Sequence, residues 1–107
     1  MSIHVINKDE KNCPFIVCDH CKLEIFKADE ANAIWLGDPS GAEGFRYDVG
    51  HVHKECDQPF QDAHPAPAGS QWFWTGLEHH LYMLLKNVEY DAQRAANAKR
   101  IIDNSGL

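Results

Sequence analysis

Four residues of this chain have the types and spacing of metal ligands. Cys18 and Cys21 form a C-x-x-C pair, and after 31 intervening residues His53 and Cys56 form an H-x-x-C pair. A closed structural zinc site takes four tetrahedral nitrogen and sulfur donors, and three cysteines with one histidine is a common set. A C-x-x-C turn presents two thiolates from one tight loop. Two ligands three residues apart at the start of a helix face the same side, because positions i and i+3 are neighbours on a helix surface. Each pair is thus a two-donor clamp, and folding the intervening chain would bring the clamps together around one zinc ion.

Other uses of these side chains fit the pattern less well. A redox C-x-x-C expects a βαβ setting, whereas β-prone residues flank this one on both sides. Cys13 lies in a polar segment and reads as an unattached thiol, and His20, inside the turn, is expected to face solvent. His51 competes with His53. The H-x-x-C spacing favours His53, but in an extended chain both rings would share a face, so the choice stays open. A catalytic zinc keeps one position for water and needs a general base. His51 and Glu55 are near enough in sequence to imagine one, yet four protein donors would close the coordination sphere. The zinc-deaminase pattern, H-x-E followed by P-C-x-x-C, is absent. No catalytic residue is assigned.

Certain elements must hold the two clamps. Ile3-His4-Val5-Ile6 alternates and reads as an edge strand or a tail, within a polar segment 1–12. Pro14 to Val17 is a short β-prone run entering the Cys18–Cys21 turn, and Leu23 to Phe26 continues with strand character. Ala33 to Leu36 and Phe45 to Val49 are further strands, joined across a separator dense in Gly, Pro and Asp that suits a hairpin with a long loop. A short helix is expected to begin near His53. This order of parts, over residues 13–62, resembles the treble-clef class of zinc fingers: a knuckle carrying Cys18 and Cys21, a β-hairpin, then a helix whose first turn supplies His53 and Cys56. LIM modules share the C-x-x-C and H-x-x-C arrangement, but here no second ligand set follows Cys56, so a single-site treble clef is the closer likeness. That class hosts DNA binders, protein-binding modules and nucleases, so the resemblance does not choose among them.

Beyond it, residues 63–71 are rich in Pro, Ala and Gly and read as a linker, and residues 72–107 carry Trp72-Phe73-Trp74 and a long helix. The aromatic trio is expected to cover the zinc module or staple the helix start, with an interface as the alternative. Thr75 and Glu78 fit a capping box, and Leu77, Leu81, Leu84, Leu85, Val88, Ala92, Ala95 and Ala96 recur at helical spacing. The helix is expected to run from about Gly76 to about Asp103, with Asn104 and Gly106 as stop signals, or about 40 Å. Such a length exceeds what the zinc module can cover, so part of its stripe should meet a second copy or another protein. His79 and His80 diverge by about 100° on a helix and make a poor metal clamp. The fold expected is therefore α+β: a small treble-clef-like module followed by a long amphipathic helix.

The remaining limits come from size and charge. A chain of 107 residues buries only a modest core, so a metal would help it. Neither half is basic and the net charge is -6, which disfavours phosphate backbones. A nucleic-acid finger would need Lys22, Lys27, Arg46 and Lys54 gathered on one face. No signal-like or membrane-spanning apolar run is present, which reads as an intracellular chain with reduced thiols. The reading is a non-enzymatic zinc-binding module for protein interaction, with a nucleic-acid finger and a small metal-dependent hydrolase or nuclease as alternatives.

Overall fold

The computed structural model describes residues 2–41 and 47–105, with side chains through residue 100. It is a mixed arrangement of two antiparallel sheets and three helices. The first sheet is a hairpin of β1 (Ile3–Lys8) and β2 (Lys11–Ile16), so the alternating N-terminal segment is a strand. Its two turn residues, Asp9 and Glu10, both have positive φ (52° and 64°). Two such residues give the turn whose twist matches the flanking strands, here without glycine. Leu23 to Phe26, expected as a strand, pairs only through a bridge between Val17 and Glu24.

A 3-10 turn at Ala28–Glu30 leads into the second sheet, ordered β4 (Val49–His53), β3 (Ala31–Gly37), β5 (Gln71–Gly76). β3 is central, and its Ala31, Ala33 and Ile34 are fully buried. Small alanines alternate with Asn32 and Ile34, so one face of this strand admits close neighbours while the other contributes bulk. The expected strand over Phe45 to Val49 begins only at Val49; Tyr47 and Asp48 precede it as irregular chain, and Phe45 and Arg46 lie outside the described residues. β4 instead runs on to His53, pairing Ala31 with His53 and Trp35 with Val49, and feeds α1 (Lys54–Ala63) without an intervening loop.

Trp72, Phe73 and Trp74 are strand residues of β5, paired with Leu36, Trp35 and Ile34. Of the two expected roles, covering the zinc module or stapling a helix start, the second is not seen, and Trp72 packs against the core cluster that holds Cys18 and Cys56. Aromatic and β-branched residues suit a pleated, half-buried surface, and this preference extends through Thr75. Thr75 therefore does not cap a helix. Gly76 occupies the N-cap position of α2 (Leu77–Asn87), with no side-chain cap.

The single long helix is also corrected: it is two helices, α2 and α3 (Ala92–Ser105). Glu89 turns to φ 53°, its amide bonding the Lys86 carbonyl at 3.2 Å while the Tyr90 amide bonds that of Leu85 at 2.9 Å. This pair of bonds closes a helix by satisfying its last carbonyls. Asp91 then starts the next one, its Oδ1 accepting from the Gln93 and Arg94 amides at 2.9 and 3.1 Å. Removing that acceptor in Asp91→Ala should cost about 1 kcal/mol of local helix stability, read as a loss of helical circular dichroism with the strand signal unchanged.

The core is small. Its packed cluster is Cys18, Ile25, Ala31, Ile34, Val52, Cys56 and Leu77, and two of these seven are thiols. A cluster with so few large aliphatic side chains supplies limited burial, so a further cross-link has much to contribute. No described helix is long and apolar enough to cross a membrane.

Candidate metal centre

The turn that carries the first two thiols is built by backbone bonds. The Cys18 amide donates to the Leu23 carbonyl at 2.9 Å and the Lys22 amide to the Cys18 carbonyl at 3.0 Å, with Lys22 in the left-handed region (φ 66°). This loop is moored to β4 by a second set. The Asp19 amide donates to the His51 carbonyl at 2.8 Å. The Asp19 carboxylate accepts from the His51 amide at 2.9 Å and from the Ser2 hydroxyl at 2.5 Å. One aspartate thus ties the N-terminus, the knuckle and β4 together. Gly50 leaves the room this needs, since a Cβ there would lie 2.9 Å from the Asp19 carboxylate.

The mooring sets the last residue of β4 beside the knuckle. His53 is the N-cap of α1 and Cys56 lies in its first turn, buried to 8% exposure. The donor atoms of Cys18, Cys21, His53 and Cys56 all lie within 4.8 Å of one another. Four donors at zinc bond lengths of about 2.3 Å for sulfur and 2.0 Å for nitrogen would stand roughly 3.5–4 Å apart at tetrahedral corners. The Cys21 Sγ to His53 Nδ1 separation of 3.3 Å is close to that edge. The set is compatible with one bound metal ion.

Surrounding groups orient and charge these donors. His53 Nε2 lies 3.3 Å from the Glu24 carbonyl, a contact in which the ring donates and leaves Nδ1 as the lone-pair nitrogen facing the thiols. Such an outer partner fixes tautomer and ring orientation in metal sites. The Cys18 sulfur accepts from the amides of Cys21 and His53, each at 3.5 Å. Burial works to raise the Cys18 pKa, but the backbone amides of Cys21, His53 and His20, with the Cys21 thiol, outweigh it and bring the group down to about 7. Cys56 moves the other way: burial, reinforced by the Cys18 and Cys21 sulfurs, pushes it up to about 12. One thiolate is therefore accommodated by the protein alone, and a second beside it calls for a cation.

The other candidates fall outside this group. His51 is buried to 8% exposure, but its ring faces His80 at a centroid distance of 6.1 Å. Burial lowers its pKa, His80 lowers it further and Asp19 opposes, and its Nδ1 has no hydrogen-bond partner among the described residues. His20 and His79 are exposed. Cys13 is half-buried in β2, its thiol 3.9 Å from the Lys11 carbonyl. Lys22, Lys27 and Lys54 are exposed, and Arg46 lies outside the described residues. His53→Gln should therefore abolish stoichiometric zinc, whereas His51→Gln should retain one ion per folded chain, as measured by elemental analysis of purified protein.

Sequence reasoning missed Asp19, Ser2 and the Glu24 carbonyl, which position the elements and the ring that carry the four candidate donors. An aspartate inside a knuckle next to a buried glycine-bearing strand was a usable signal for the first; a backbone carbonyl leaves none. No family model, no curated protein and no solved structure matches this chain, so its own donor set and geometry bear the functional reading.

Proposed function

We propose that the chain is a single-site treble-clef zinc module of non-enzymatic function, in which one structural zinc held by Cys18, Cys21, His53 and Cys56 supports a surface for protein interaction. The observation that carries this reading is the convergence of four protein donors on one point. Four such donors fill a tetrahedral zinc and leave no position for a water or substrate, which separates a structural from a catalytic ion. Knuckle, β3–β4 hairpin and α1 follow one another in the order of that class of zinc finger, and zinc supplies cross-linking that a small core lacks. Reduced thiols fit an intracellular setting.

The interaction surface is assigned to the second half of α2 and the turn after it. Tyr82, Met83, Leu84, Leu85, Val88 and Tyr90 are all between 38% and 63% exposed. Clustered large apolar side chains at a surface mark contact sites more often than isolated ones do. A protein or a second copy is the partner class that apolar helix suits, while the charge of -6 disfavours nucleic acid. Sedimentation of the zinc-loaded chain should show reversible self-association that Val88→Asp weakens. A monomer at every concentration would remove the self-association reading, and a salt-sensitive shift of DNA or RNA in a gel would favour the nucleic-acid alternative.

A further inference from the structure

A cleft of about 900 Å³ opens beside the knuckle, and none of the four metal ligands lines it. Its apolar part includes Leu36, Phe60 and Trp72. Phe60 and Trp72 meet edge to face at 5.5 Å, and the Trp72 indole donates to the His64 carbonyl at 2.8 Å, which fixes the ring. Three carboxylates, Asp19, Asp38 and Asp48, line the same cleft, and among the described residues no lysine or arginine does. None of the three is in an ion pair among the described residues. The Asp19 charge is held in place by Ser2 and the His51 amide, and Asp38 by the Ser40 amide at 2.8 Å.

We propose that this cleft binds an organic cation, a protonated amine or guanidinium carried on an apolar stem. The volume falls in the range of small-ligand sites, which combine an apolar lining with a few convergent polar groups. Carboxylates of one sign gathered in a concave site concentrate positive charge and repel anions. The aromatic lining favours the same ligand, since a cation is attracted to the face of an indole or phenyl ring. A neutral apolar ligand would use the aromatics and leave three carboxylates without a counter-charge, and a bare metal ion would leave the aromatics idle. The ligand could come from a basic peptide segment or from a free small amine; both present the same chemistry.

The test uses the full zinc-loaded chain and agmatine, which has a guanidinium and an ammonium on a four-carbon stem, followed by two-dimensional NMR. Saturable shifts should appear at the Trp72 indole and the amides around Asp48, and should weaken as salt is raised. N-butylurea, uncharged and of similar shape, should bind at least about tenfold more weakly. The double variant Asp38→Asn, Asp48→Asn should lose agmatine affinity by about tenfold or more; the carboxamide introduced at position 38 keeps a side-chain oxygen able to accept from the Ser40 amide. A short Arg- and Lys-containing peptide, run in parallel, identifies the source: tighter binding than agmatine points to a peptide, weaker to a free amine, and either supports the site. Absence of saturable shifts with both probes, equal binding of N-butylurea, or unchanged affinity in the double variant overturns it. Should the double variant not fold, the comparison of agmatine with N-butylurea decides on the unmodified chain. Because the cleft shares no residue with the metal ligands, a negative result here leaves the metal centre standing.

Discussion

Cys18→Ser should eliminate zinc binding and leave residues 13–62 without a cooperative fold. The sulfur of Cys18 is fully buried, sits in the core cluster and accepts two backbone amides, so the substitution removes a ligand and disturbs the core at once. Binding free energy at a structural zinc site is folding free energy, on the order of 10 kcal/mol in small zinc modules. That is comparable to the entire stability of an ordinary small domain, about 5–15 kcal/mol. The expected readout is loss of the cooperative thermal transition and collapse of amide dispersion in NMR, with excess zinc giving no rescue. A serine variant that melts like the original chain would mean that Cys18 does not ligate a metal on which the fold depends.

The second large effect is predicted at Ile34, which has no involvement with metal. Its side chain is fully buried on the central strand, between β4 and β5, and it is the largest aliphatic contributor to the cluster along with Leu77. Ile34→Ala should cost about 2–5 kcal/mol, the range for deleting a buried aliphatic side chain with partial relaxation. The upper part of that range is expected, because strands on both sides and α1 above hold the cavity open. Zinc-loaded protein should still bind one ion per chain while its urea midpoint falls. This variant therefore separates packing from ligation: it weakens the fold with the coordination set intact, whereas Cys18→Ser removes both.

Much of the candidate metal centre could be read from donor spacing because its geometry is local. A C-x-x-C turn and an H-x-x-C pair at a helix start each fix two donors within a few residues, so the sequence could name them without knowing the path between. The choice of His53 over His51 followed the same logic, and the ring of His53 is the one among the thiols. What distinguishes the two in space is long-range: β4 is extended through both, yet His51 meets His80 of α2 while His53 turns toward the knuckle at the strand-to-helix junction. The mooring by Asp19 spans 32 residues to the His51 amide, and no spacing rule anticipates it.

The helical region was read less well, for two identifiable reasons. Glu89 occupies a left-handed position usually marked by glycine, so no stop residue announced the end of α2. The alanines of α3 also fall in phase with the leucines of α2, which let one stripe appear continuous. Asp91 was the available sign, an N-cap residue followed by a good helical run. At Trp72 to Gly76 two local signals competed. The strand preference of consecutive aromatics prevailed over the Thr75–Glu78 capping pattern because β3 offered an open edge to pair with, a tertiary opportunity that overrides a local cap. The cleft was illegible for a related reason, since its lining comes from separate segments of the chain.

A structural role for zinc is open to one decisive measurement: native mass spectrometry of the chain purified under reducing conditions, paired with far-ultraviolet circular dichroism before and after a strong zinc chelator. One zinc per chain is expected, with loss of the folded signal on chelation and its recovery when zinc is returned. A chain that folds cooperatively and carries no metal, or keeps its fold after complete zinc removal, would contradict that role.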